Sequence, residues 1–232
     1  MAELVQILAQ ELGQNPKYVE NAIALIDEGN TIPFIARYRK EMHGAMDDTT
    51  LRNLETRLTY LRNLQQRRDE VKKSIENQGK LTQELSEAID AAATMTEVED
   101  LYRPYKQKRR TRGSIAREKG LEPLAQAIFA QDGQDIQELA KDFINEEKGV
   151  ATAEEAIAGA LDIIAENLSD DADIRKALRE LCSRSGSLVS KAADPEADTV
   201  YKLYYDFNQP ISRLLDHQIL AINRGEKEDI LK

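Results

Sequence analysis

The sequence predicts an all-α fold, a multi-helix array packed around one long central spine helix with no significant sheet. Three observations predict it. Apolar residues recur at spacings of three and four along most of the chain, and period-two alternation never persists. The composition is 41% hydrophobic and 32% charged but only 5% aromatic, without Trp. That balance is rich in strong helix formers. Cap residues and glycines also punctuate the chain at helix-length intervals. A chain of 232 residues is long enough to bury a sizeable core.

Leu4, Ile7, Leu8 and Leu12 form the stripe of a first helix, stopped by Gly13. Asn15 and Pro16 start a second, a cap residue followed by proline at the first helical position. Tyr18, Val19, Ala22, Ile23 and Ile26 carry it to Gly29. Pro33 opens a short third helix. On it Phe34, Tyr38 and Met42 lie four apart and are expected to face the core, with Arg37, Arg39 and Lys40 reaching outward. Asp47 and Asp48 cap the spine, which should run to about Gln78 with Leu51, Leu54, Leu58, Leu61, Leu64, Val71 and Ile75 along its buried side. A helix of that size would be about 45 Å long.

Leu81 to Ala93 reads as a further helix, and Thr96 caps the next. Periodicity then fails from Leu101 to Arg117. It returns in helices at Leu121–Ala130, Ile136–Glu146, Thr152–Leu168 and Asp171–Val189. Asp194–Asp198 reads as a linker, and Tyr201–Phe207 is short and aromatic. Pro210 should open a helix through Ile222, stopped at Gly225, and the final residues read as another helix beginning. The domains expected are 1–125, an N-terminal helical domain containing a basic segment at 102–117, and 126–232, a second helical region.

The formal charge is −10, against a surface that grips nucleic acid everywhere. It is unevenly spread. Residues 31–120 carry 19 basic and 14 acidic side chains, while 121–200 carry 7 and 18. A basic region beside an acidic one implies separate partners or surfaces that face each other. No apolar run reaches the ~20 residues of a membrane span. An acidic N-terminus and a lone Cys182 fit a cytoplasmic protein without disulfides.

The strongest local signal lies between Tyr102 and Arg117. Arg103, Lys106, Lys108, Arg109, Arg110, Arg112 and Arg117 occur there with no acid among them, and Pro104 and Gly113 disfavour a continuous helix. Such a segment suits the phosphates of RNA or DNA. It suits equally a loop clasped to the acidic helices that follow. Arg37, Arg39 and Lys40 form a second, weaker candidate for phosphate. No catalytic residue and no metal site is expected. His43, His217 and Cys182 are far apart and outside metal-ligand spacing, Cys182 reads as a small buried residue, and no phosphate-binding glycine loop occurs. Glu146-Glu147, Glu154-Glu155 and Asp170-Asp171-Asp173 sit near helix ends, and the dipole's preference for acids at helix N-termini explains most of them without metal. A di-carboxylate nuclease is the enzymatic alternative. No cofactor is implied.

Taken in order, "TIPFIARYRKE", "LRNLETRLTYLRNLQQRRDEVKKSIENQGKLTQEL", "EDLYRPYKQKRRTRGSIAREKGLEPLA" and "YKLYYDFNQPISRLLDHQILAINRGEKE" closely resemble the N-terminal region of the Tex family of bacterial transcription accessory proteins. The likeness covers nearly the whole chain. His43-Gly44 stands where Thr-Gly is common, and Arg103 and Gln107 stand where an apolar residue and a proline are common. The resemblance implies kinship with an elongation factor that travels with RNA polymerase. It also implies a longer protein with an RNase-H-like domain, helix-hairpin-helix elements and a C-terminal RNA-binding OB-fold module. This chain would then be the helical scaffold that precedes them, non-catalytic, with weak non-specific RNA or DNA contacts of its own. The alternative is a scaffold that docks the transcription or translation machinery without touching nucleic acid.

Overall fold

The computed structural model describes residues 2–107 and 110–232. Among them are twelve α-helices and one two-stranded sheet. The chain divides into two compact units, the first ending at Tyr102 and the second running from Arg103 to Lys232. The division therefore falls ahead of the basic segment, not at residue 125.

The first unit is built on its spine. Helices α1 (Ala2–Leu12), α2 (Pro16–Asp27) and α3 (Ile32–Tyr38) pack against α4 (Asp48–Glu76), as do α5 (Gln83–Ala91) and α6 (Met95–Tyr102). Asp47 caps α4, its carboxylate accepting from the Thr50 amide at 2.7 Å. The expected stripe faces inward: Leu51, Leu54, Leu58, Leu64, Val71 and Ile75 are buried, whereas Leu61 is only half-buried. Along the borders of the stripe, α4 sends out a series of cations, each holding a different neighbour. Arg57 donates to Glu11 of α1 at 2.6 and 2.7 Å, and Arg62 to Asp27 of α2 at 2.7 and 2.8 Å. Arg67 meets Glu99 of α6 and Lys72 meets Asp90 of α5, both at 2.6 Å. Thr94, not Thr96, bonds the first turn of α6, through the Glu97 amide.

The short third helix corrects one expectation. Phe34 is 36% exposed and Tyr38 57%, while Ile32 and Ile35 are buried in the core with Leu51 and Leu54. The helix has two apolar faces, and the aliphatic one packs inward.

In the second unit the hub is α10 (Ala153–Asp170), which packs against α7 (Arg112–Glu118), α8 (Glu122–Ala130), α9 (Ile136–Lys141) and α11 (Ala172–Ser185). Ala156, Ala160 and Ile163 meet Ala116, Leu121, Leu124 and Ala125 in one core. The helix expected over Asp171–Val189 ends at Ser185. Gly186 is extended (φ −73, ψ 154), and its neighbours enter β1 (Ser187–Lys191), antiparallel to β2 (Asp206–Pro210) with Ser190 opposite Phe207. Pro210 therefore ends a strand, and α12 starts at Asp216 and runs to Lys227. Gly225 does not stop it. A Cβ there would come within 2.6 Å of Leu231, so the glycine admits the returning chain. The final residues form no new helix: Lys232 pairs with Lys191 through both backbone bonds, at 2.8 and 2.9 Å. Cys182, expected to be buried, is exposed, because α11 buries none of its residues.

Candidate nucleic-acid interface

The basic segment begins with a 3₁₀ turn, Arg103–Tyr105, and becomes helical at Arg112, so it is less irregular than its composition implies. Thr111 starts α7 with a reciprocal cap: its hydroxyl accepts from the Ser114 amide at 3.0 Å, and the Ser114 hydroxyl accepts from the Thr111 amide at 2.9 Å. Gly113 lies inside this helix for a steric reason. A Cβ there would fall 3.2 Å from the Asp162 carbonyl and against the Glu166 carboxylate, so the glycine lets α7 approach α10 closely.

On the facing helix, Asp162, Glu166 and Asp170 are spaced by four, which puts three carboxylates on one side of α10. They receive the segment's arginines. Arg117 donates to Glu166 at 2.8 Å, to Glu122 at 2.8 Å and to Asn167 at 2.6 Å. Burial acts to lower its pKa, but the hydrogen bonds to Glu166 and Glu122 outweigh it and hold the guanidinium above its usual value. Arg103 donates to Asp170 at 2.9 Å. These two acids are well covered, with side chains 14% and 12% exposed. A groove of about 420 Å³ follows this seam, lined by Lys106, Arg117, Glu166 and Asp170 among others. The outer cations are held more loosely. Arg110 meets Glu118 at 2.9 Å, and Arg112 reaches no closer than 3.8 Å to Asp162 with its side chain 88% exposed. Lys108 and Arg109 lie outside the described residues.

The second cationic group, Arg37, Arg39 and Lys40, is exposed at the end of α3. Arg39 lies over the Phe34 ring, 5.4 Å from its centroid, and Arg37 stands 6.0 Å from that of Tyr38. The turn after them is anchored from below. His43 is fully buried, and its Nε2–H donates to the Ile35 carbonyl at 3.1 Å. Asn21 donates to the Met42 carbonyl at 2.9 Å. Gly44 adopts φ +63, and a Cβ there would strike the Tyr18 ring. This exposed aromatic cluster escaped the sequence reading, which counted its rings as core.

The remaining chemistry-bearing residues do not converge. His217 is exposed on α12, and among the described residues no three His, Cys, Asp or Glu side chains are grouped to hold a metal ion. The acids at helix starts bond backbone: Asp171 caps α11 through the Ile174 amide at 2.8 Å, and Glu155 accepts from the Ala151 amide at 2.7 Å. No helix among the described residues is long and apolar enough to cross a membrane.

Comparison with known proteins bears on this geometry. Residues 2–76 match the family model for the Tex-like protein N-terminal domain, and residues 131–232 match that for the Tex central region. The chain is 46% identical to Protein tex of Bordetella pertussis, covering 100% of this chain and 30% of the relative. It is 41% identical to Transcriptional accessory protein Tex of Neisseria gonorrhoeae, over 98% of this chain and 30% of the relative. A human protein, S1 RNA-binding domain-containing protein 1, is 31% identical over 99% of this chain and 24% of its own length. The chain thus spans a third or less of the curated relatives it matches.

Proposed function

Because the chain belongs to the Tex family, we propose that it is the non-catalytic helical scaffold of a nucleic-acid-associated transcription accessory protein. One observation carries this reading: a series of charged side chains joins helices to one another. Arg57, Arg62, Arg67 and Lys72 tie four helices to α4, and Arg103 and Arg117 tie the basic segment to α10. A region built this way holds other parts in place. Nucleic-acid association at the family level is supported by the relatives' names, one of which specifies RNA binding. Within this chain such contact is weak, because the net charge of −10 repels phosphate.

The test is to incubate the chain with labelled RNA and DNA in Mg²⁺ or Mn²⁺ while measuring binding at several salt concentrations. The expected result is no cleavage and weak binding in the range of roughly 10⁻⁴–10⁻⁶ M, falling with salt. Metal-stimulated cleavage would overturn the non-catalytic reading. A second reading, docking of RNA polymerase or another protein, is favoured by the exposed stripe of Ile174, Leu178 and Leu181 on α11, spaced four and three apart.

A further inference from the structure

The exposed rings of α3 are unexplained by a scaffold role. Phe34 and Tyr38 lie side by side on the solvent face, centroids 5.3 Å apart and planes tilted by 47°. Arg37 and Arg39 lie against them and Lys40 follows in the next turn, and among the described residues none of the three has a carboxylate oxygen within 4.0 Å. Every arginine described in the basic segment has one. Three cations with no carboxylate beside them among the described residues, two of them against the rings, share an exposed surface with two aromatic side chains: anions suit the cations, and a flat base can stack on a ring or on the guanidinium over it.

We propose that this face of α3 binds single-stranded nucleic acid, with bases stacking on Phe34 and Tyr38 and adjacent phosphates meeting Arg37, Arg39 and Lys40. The proposal rests on the reading of nucleic-acid association above and assigns it a place in this chain. Single strands fit because their bases offer free faces, which paired bases in a duplex do not. Stacking on rings tolerates any base, so sequence preference should be slight. The arrangement is also held ready. Ile32 and Ile35 root the helix in the core, and the His43, Asn21 and Gly44 contacts fix the turn that carries Lys40 and Met42. Little ordering is then needed on binding.

The experiment measures fluorescence anisotropy of a labelled oligouridylate with the whole chain, beside thermal melting of each variant. Phe34→Leu with Tyr38→Leu keeps apolar bulk but removes both aromatic faces, and should weaken binding by about tenfold or more while melting stays near wild type. Tyr38→Phe keeps the ring and should bind as wild type does. Replacing Arg37, Arg39 and Lys40 with Ala should weaken binding to every sequence and flatten the salt slope by up to about three ions. A duplex of equal length should bind more weakly than the single strand. If the folded double-Leu variant binds as tightly as wild type, or duplex and single strand bind alike, the stacking face is wrong while nucleic-acid association stands. If the wild-type chain binds no oligonucleotide at all, both fail for this chain and the rings are left as a protein-docking surface.

Discussion

The two cationic regions differ in what lies opposite their charges. In the basic segment, Arg103 and Arg117 are answered by Asp170 and Glu166 on α10, and Pro104 lines the same seam. At the end of α3, fewer cations stand in the open beside two exposed rings and meet no acid among the described residues. The denser cluster is thus the more committed internally, and the sparser one is free to meet a ligand. Counting charges along a chain measures supply, whereas binding depends on what remains unpaired after folding. The net positive charge of 31–120 and the acidity of 121–200 have the same explanation in part, since Asp162, Glu166 and Asp170 form the acidic rail to which part of the basic segment is fastened.

The comparison is best broken first at the roots of the two regions. Ile35 is fully buried beneath α3, so Ile35→Ala should cost about 2–5 kcal/mol in denaturant titration of the first unit and disturb the ring face above it. A change within error would mean that α3 is not held by its aliphatic side. The clasp should be next. Arg117→Ala takes the guanidinium from Glu166, which is 14% exposed and keeps the Thr111 hydroxyl at 3.3 Å, and loses the bonds to Glu122 and Asn167. Breaking a fully buried pair costs more, but Arg117 is 36% exposed, so the expected loss is about 1–3 kcal/mol. A double-mutant cycle with Glu166→Ala should show coupling near 1 kcal/mol. Independent effects would mean that the segment is not fastened there.

How much of this was legible beforehand follows from which forces are local. The spine was legible because a cap at Asp47 and a leucine stripe at three-and-four spacing are both written in neighbouring residues. The orientation of α3 was not. Phe34/Tyr38 and Ile32/Ile35 are two valid apolar faces, and the space left by α2 and α4 decides between them. The hairpin was hidden because Ser187–Lys191 continues the apolar spacing of α11, and a five-residue strand has too few alternations to announce itself. Glycine misled twice. Gly113 and Gly225 sit within helices because another side chain presses on them, a reason that lies tens of residues away or on a returning chain end. The site followed the same rule: its cations were visible, but their partners on α10, some fifty to seventy positions downstream, were not.

Acid separates the regions of the first unit further. Hydrogen bonds from Arg57 and Arg62 hold the Glu11 and Asp27 carboxyls below their usual values. A carboxyl lowered by folding stabilises the native state above its unfolded value, and that support is lost as pH falls through the folded one. These pairs should therefore contribute fully near neutrality and weaken as pH drops below the ordinary carboxylate range. Their exposure limits each to less than about 1 kcal/mol. Arg57→Ala with Arg62→Ala should lessen the acid dependence of melting. The three cations at the end of α3 have no carboxylate partner among the described residues to lose, so replacing them should leave that dependence unchanged. If it shifts, they are paired in solution and are not the free group described above.

The smallest stability effect is expected at the rim of the clasp, where it decides most about the comparison. Arg110 and Arg112 are the loosest arginines described in the segment, with side chains 69% and 88% exposed, and Arg112 stands 3.8 Å from its acid. Exposed pairs of this kind are worth little, because water screens them and two long side chains must be ordered to make them. Arg110→Ala with Arg112→Ala should therefore change stability by no more than about 0.5 kcal/mol. Its effect on oligonucleotide affinity is the informative one. If α3 provides the main contact, the rim double variant should lose only the small share due to reduced positive charge, well below the loss from removing both α3 rings. If the rim variant instead loses as much affinity as the double-Leu variant at Phe34 and Tyr38, then cations half-committed to an acidic helix still engage phosphate. The segment would then be divided, an inner pair fastening it to α10 and an outer pair turned toward nucleic acid, and the contrast between paired and unpaired cations would run through the segment itself.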